Sequence, residues 1–216
     1  MPDLLPDSHE VLRSLGEAHL RKVEPRFAPV IDALGPCTLS IEKNLFRALV
    51  RSVVAQLIST AAARTINERL EVALKRKITP ARLLALTDEE LRAVGVSGSK
   101  AKTLRGIAEL FQGTRGLTAK LLAADDDTIR SILLPLHGVG LWTVDMFSIF
   151  ALGRPDVWPV GDMGVRAGVK ELFRMKELPD AKKMTKLAEP WRPYRTFAAW
   201  YFWRSRGWVP QSTVTA

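Results

Sequence analysis

The 216-residue chain is predicted to be all-α, and three observations lead there. Apolar residues recur at intervals of three and four along most of its length, the spacing that lines one face of a helix. Start and stop signals for helices sit at the ends of those stretches. No segment alternates apolar and polar residues long enough to make a half-buried strand, and no Asn-Gly hairpin turn occurs.

The elements follow in order. Leu45, Leu49, Val53, Leu57 and Ile58 form one apolar stripe, and Ile66, Leu70 and Leu74 form a second. Thr79-Pro80 supplies a helix cap and a first-turn proline. Thr87-Asp88-Glu89-Glu90 has the spacing of a capping box ahead of Leu91. Further helices are expected near 99–112, 126–135, 140–152, 162–174, 180–190 and 194–205. Residues 91–98 and 133–140 share a layout, a short helix and a glycine-bearing turn before a new helix, but this is no repeat array.

Composition narrows the function classes. The chain is 47% hydrophobic and 25% charged, which suits a soluble globular protein. No apolar run approaches the ~18 residues that span a bilayer, so no membrane partner is expected. The first residues, Met1-Pro2-Asp3-Leu4-Leu5-Pro6-Asp7, lack the basic-then-apolar pattern of a secretory signal. A cytoplasmic location is therefore expected, nucleoid-associated in a bacterium. The single cysteine, Cys37, excludes an intrachain disulfide framework and any four-cysteine zinc or iron–sulfur site within this sequence. Thirty-two Lys and Arg against 23 Asp and Glu leave a net charge of +9. Such an excess suits a polyanion such as nucleic acid, bound with salt-sensitive affinity, and equally a basic surface that only keeps the protein soluble.

The segment Gly138-Val139-Gly140 narrows the choice. Glycine permits positive φ and close approach of another backbone. The helix that begins at Leu141 would present unpaired N–H groups and a partial positive charge, a phosphate site. Val139 would plug the turn into the core. A plain interhelical turn has the same Gly-x-Gly, so the motif alone leaves both readings open.

The longer stretch Leu136-His137-Gly138-Val139-Gly140-Leu141-Trp142-Thr143-Val144-Asp145 resembles the helix-hairpin-helix of base-excision DNA glycosylases. The resemblance continues unbroken through Gly153-Arg154-Pro155-Asp156-Val157-Trp158-Pro159-Val160-Gly161-Asp162-Met163-Gly164-Val165-Arg166. Arg51–Ser59 and Trp191-Arg192-Pro193-Tyr194-Arg195 support it. Within the superfamily it is similar to the 3-methyladenine DNA glycosylase II (AlkA-like) branch, over roughly residues 40–208.

The resemblance implies two helical lobes with a cleft between them, one from residues 40–150 carrying the motif at about 133–152, the other from 1–39 and 151–216. It also implies a compact form without the N-terminal sheet domain of the family prototype. Asp162 falls at the catalytic position. A fixed anion there stabilises positive charge on the sugar as the N-glycosidic bond breaks, and can orient or deprotonate the attacking water. Asp162 could also simply cap the next helix. Bifunctional members carry a Schiff-base lysine where Trp142 stands. Its absence implies a monofunctional enzyme that stops at the abasic site.

Alkylated purines carry positive charge, and an aromatic face attracts them once they are flipped from the duplex. Family alignment puts Trp142 and Trp203 at base-stacking positions, with Met146 and Met163 where relatives have tyrosines. Trp158, Trp191, Trp200 and Trp208 read better as packing anchors. Gly138, Val139 and Gly140 are the expected DNA-backbone contacts, joined by Ser97, Gly98 and Ser99 of the earlier turn; for His137 and Lys100 a phosphate contact and plain solvent exposure are both open. That turn offers no large apolar tip to fill the hole left by a flipped base, so either a small residue suffices or the wedge comes from elsewhere, near Gln56. The expected partner is double-stranded DNA, bound by a monomer, with no cofactor; the resemblance suggests a monovalent cation at the hairpin backbone, on which the residues themselves are silent. Two rivals remain: a glycosylase of this fold for mismatched or other damaged bases, and a non-catalytic DNA-binding module.

Overall fold

The computed structural model describes residues 8–207, so residues 1–7 and 208–216, Trp208 among them, lie outside the described residues. No strand occurs among the described residues, and the chain is all-α. The helices are α1 (Ser8–Val23), α2 (Phe27–Leu34), α3 (Leu45–Ala55), α4 (Thr60–Ala73), α5 (Pro80–Leu84), α6 (Asp88–Ala93) and α7 (Gly98–Gly113). They continue as α8 (Leu117–Ala123), α9 (Asp126–Leu133), α10 (Leu141–Phe150), α11 (Met163–Leu172), α12 (Ala181–Ala188) and α13 (Arg195–Ser205). No described helix is long and apolar enough to cross a membrane.

The chain divides into two compact units: Glu42–Leu152, and the segments up to Ile41 and from Gly153 onward. In the first, α3 to α10 enclose a core that includes Leu49, Val53, Leu70, Leu104, Ile107 and Phe147. Helix starts here obey local chemistry. Asn44, Ser59, Ser97 and Asp125 each cap a helix by accepting a backbone N–H three residues on. Thr87 and Glu90 close the expected capping box, and Thr79 caps the helix opened by Pro80. The α3 stripe stops short of its expected end. Ala55 is the last helical residue, and Leu57 and Ile58 leave the core altogether.

In the second unit Trp191 and Phe202 pack on Phe27, and Trp158 lies against both of them, edge-on to Trp191 at 5.2 Å. These tryptophans and Trp200 are buried anchors, as expected. Helices α11 and α13 approach closely because glycines face the contact. A Cβ on Gly168 would lie 2.6 Å from Phe202, and one on Gly164 would lie 3.0 Å from the Trp203 indole.

Candidate active site

Asp162 stands at the N-cap of α11, in extended backbone after the turn at Pro159. The path to it is pinned at several points. The Arg195 guanidinium grips both oxygens of Asp156, Nε to Oδ1 at 2.6 Å and an Nη to Oδ2 at 3.0 Å. The Val157 N–H donates to the Thr196 hydroxyl, which itself donates to the Arg154 carbonyl. The Trp158 indole donates to Met184 O. Asp156 is thereby an anchor of the loop, and the Trp191–Arg195 stretch is its counterpart.

Asp162 is 9% exposed. Its Oδ1 accepts the Val165 N–H at 2.8 Å and the Trp203 indole N–H at 2.8 Å. The cap and the candidate catalytic group are therefore one side chain. An anion held by fixed donors at a helix N-terminus needs little reorganisation when positive charge develops beside it. Trp203 is only 3% exposed, lying over the first turn of α11 where Gly164 leaves room. The ring expected at a base-stacking position is thus packed in on this side, and its N–H holds the carboxylate. Met163, at the first position of α11, is 58% exposed.

In the Glu42–Leu152 unit, Trp142 is half-buried in the first turn of α10, whereas Met146 is buried. The hairpin joins α9 to α10. Gly138 has φ +74, and a Cβ there would collide with the Thr103 hydroxyl. Gly140 differs from expectation: its φ is −110 and a Cβ would meet nothing within 4 Å. Only Gly138 is required by the fold. Gly140 leaves the mouth of α10 open, with no side chain capping the helix. Val139 is the buried plug, at 6% exposure, while His137, Gly138 and Gly140 are exposed.

The earlier turn reaches the same place. Ser97, Gly98 and Ser99 are exposed at the start of α7, and Val96 is buried. Lys100 does not face outward as a phosphate contact would. Its Nζ donates to Val54 O at 2.8 Å and Gln56 O at 2.9 Å, at the end of α3. Burial holds its pKa below the ordinary lysine range. Gln56 is no wedge either, since its amide nitrogen donates to Gly138 O at 2.9 Å and the Thr143 hydroxyl at 2.8 Å. The exposed apolar tip is its neighbour. Leu57 has φ +57 and is fully exposed, at 105%. Its regular spacing after Val53 hid it in the α3 stripe. The readable signal was that Gln56 and Ser59 bracket a helix break.

Glycine hairpin, plugged valine and capped aspartate are parts of a DNA-repair fold. The model for HhH-GPD superfamily base excision DNA repair proteins matches residues 50–193. The chain belongs to that superfamily. It is 29% identical over 209 residues to DNA-3-methyladenine glycosylase 1 of Schizosaccharomyces pombe, covering 93% of this chain and 92% of the relative. The 3-methyladenine DNA glycosylase of that yeast, solved in complex with abasic DNA, superposes with a TM-score of 0.83 at 28% identity, over 93% of this chain and all of the other. A DNA-3-methyladenine glycosidase from Bacillus halodurans superposes with a TM-score of 0.72 at 34% identity, over 93% and 90% of the two chains.

Proposed function

We propose that this protein is a monofunctional DNA glycosylase that excises alkylated bases of the 3-methyladenine and 7-methylguanine type from double-stranded DNA. Its relatives are named for 3-methyladenine release. The observation that carries the assignment to this chain is the Asp162 carboxylate, held by the Val165 N–H and the Trp203 indole. A DNA-backbone module has no need of such a group.

The chemistry follows from these residues. DNA phosphates meet the open N-terminus of α10 at Gly138–Gly140, where unpaired N–H groups and the helix dipole favour an anion. Leu57 enters the stack as the base leaves it, an apolar side chain exchanging water for base faces. Trp142 supplies an aromatic face for a cationic purine. The Asp162 anion stabilises the sugar as the bond to the base breaks, and orients the water that attacks C1′. Position 142 holds tryptophan rather than a Schiff-base lysine, so the products are free base and an abasic site. The protein works as a monomer, where the genome lies, without an iron–sulfur cluster.

The test is release of 7-methylguanine and 3-methyladenine from methylated duplex by wild type and Asp162→Asn. The variant is expected to lose at least ~10²-fold in single-turnover rate, the scale on which removed electrostatic groups act. Equal release by the two would refute the mechanism. A wild type inactive on methylated DNA but active on a mismatch would favour the rival glycosylase.

A further inference from the structure

Lys100 is half-buried, yet both hydrogen bonds of its ammonium go to backbone carbonyls and neither to a carboxylate. Desolvating a lysine is costly, so the arrangement asks what the ammonium holds in place. It sits at the C-terminal end of α3, where the last carbonyls lack helical partners and a cation is favoured by the dipole. One acceptor belongs to Val54 in the last turn, the other to Gln56, the residue at which the helix breaks.

The next residue is the conformational oddity. Leu57 is a non-glycine residue in the left-handed region with its side chain in water. Such a residue is strained and persists only where its surroundings over-determine it. Lys100 fixes the carbonyl of the peptide that links Gln56 to Leu57, and so the direction in which Leu57 projects. The Gln56 side chain reaches the other way, to Gly138 O and Thr143 in the hairpin. One residue therefore carries the apolar tip on its backbone and the DNA anchor on its side chain, with Lys100 beneath it.

We propose that Lys100 is a positioning residue for base extrusion: through Gln56 it ties the Leu57 wedge to the Gly138–Gly140 anchor, so that gripping the backbone and inserting the wedge are one event. This rests on the glycosylase reading above. It assigns Lys100 no contact with DNA.

The experiment compares wild type, Lys100→Met, Lys100→Arg, Gln56→Ala, Leu57→Ala and the Lys100→Met/Leu57→Ala double variant. Extrusion is followed by the emission of 2-aminopurine beside a 7-methylguanine, and affinity on a tetrahydrofuran abasic duplex across a salt series. Lys100→Met is expected to slow extrusion about tenfold, Lys100→Arg to recover most of it, and the double variant to be no slower than Leu57→Ala, since sites acting as one unit are not additive. The salt slope stays at the wild-type value. A slope reduced by about one would make Lys100 a phosphate contact and overturn the proposal. Additive losses in the double variant would overturn it as well. Gln56→Ala breaks the link from its other end without disturbing the ammonium, and wild-type extrusion by that variant also refutes the coupling. Wild type that binds and extrudes but releases no alkylated base would count against the glycosylase reading alone.

Discussion

Asp162 and Trp203 show how the side chain that caps a helix is also held ready for the catalytic role proposed for it. The Asp162 carboxylate starts α11 by accepting the Val165 N–H, and the same oxygen accepts the Trp203 indole. Capping makes the aspartate rigid, and rigidity is what an electrostatic catalyst requires. Trp203→Phe keeps the buried ring and removes only the donor. Single-turnover excision is expected to fall about tenfold, in line with a lost hydrogen bond to a charged group, while affinity for abasic duplex stays within about twofold. Weakened binding with an unchanged rate would instead make Trp203 a stacking surface. The glycine at position 164 belongs to the same device, because a Cβ there would lie 3.0 Å from the indole and 3.2 Å from Asp162 Oδ1, tight against both partners of the bond.

At the scale of elements the hairpin glycines separate into one that the fold requires and one that it does not, the latter at the proposed DNA contact. Gly138→Ala forces a left-handed φ on a residue with a Cβ and drives that Cβ into Thr103, so it should destabilise by about 1–3 kcal/mol. Gly140→Ala meets no atom in the protein and should leave the melting temperature almost unchanged. It should nonetheless weaken DNA affinity several-fold, because the methyl stands at the mouth of α10. Melting curves and titrations with abasic duplex test the pair, and the opposite assignment of losses would reverse the roles. The periodicity of α4, α7, α9 and α10 and the caps at Thr79 and Thr87 were legible in the sequence, since caps and apolar faces are short-range signals. Helices α1, α2 and α8 were not drawn from it, and the end of α3 was misplaced. Leu57 and Ile58 continue an apolar rhythm that the backbone abandons at Gln56, and rhythm alone carries no record of where a chain bends.

At the scale of the molecule, stability at low pH turns on how the chain closes its Glu42–Leu152 unit. The Glu42 N–H donates to Phe150 O at 2.7 Å, tying the first residue of the unit to its last helix. Burial alone would raise the Glu42 carboxyl. Bonds from Arg47 and the Asn44 N–H, with Arg51 nearby, outweigh it and hold the pKa below the usual range. A carboxyl depressed in the folded state stabilises above its unfolded value and loses that contribution as pH falls through the folded value. Wild type should therefore exceed Glu42→Gln in urea midpoint at pH 7, and the gap should narrow as pH falls below the ~4.3 of a free glutamate. A gap that stays constant over that range would remove Glu42 from the acid response.

By itself the sequence determined the helical class, the caps and the unbroken run from hairpin to aspartate, because each of these is written in residues close along the chain. Only the tertiary structure decided that Trp203 holds Asp162 across 41 positions, that Gln56 grips a hairpin 82 residues away, and that Lys100 faces inward. Those contacts join side chains whose separation in sequence bears no relation to their separation in space. They arise from packing, which closes some faces, leaves Leu57 outside, and converts a lysine that could have met phosphate into one that braces a turn.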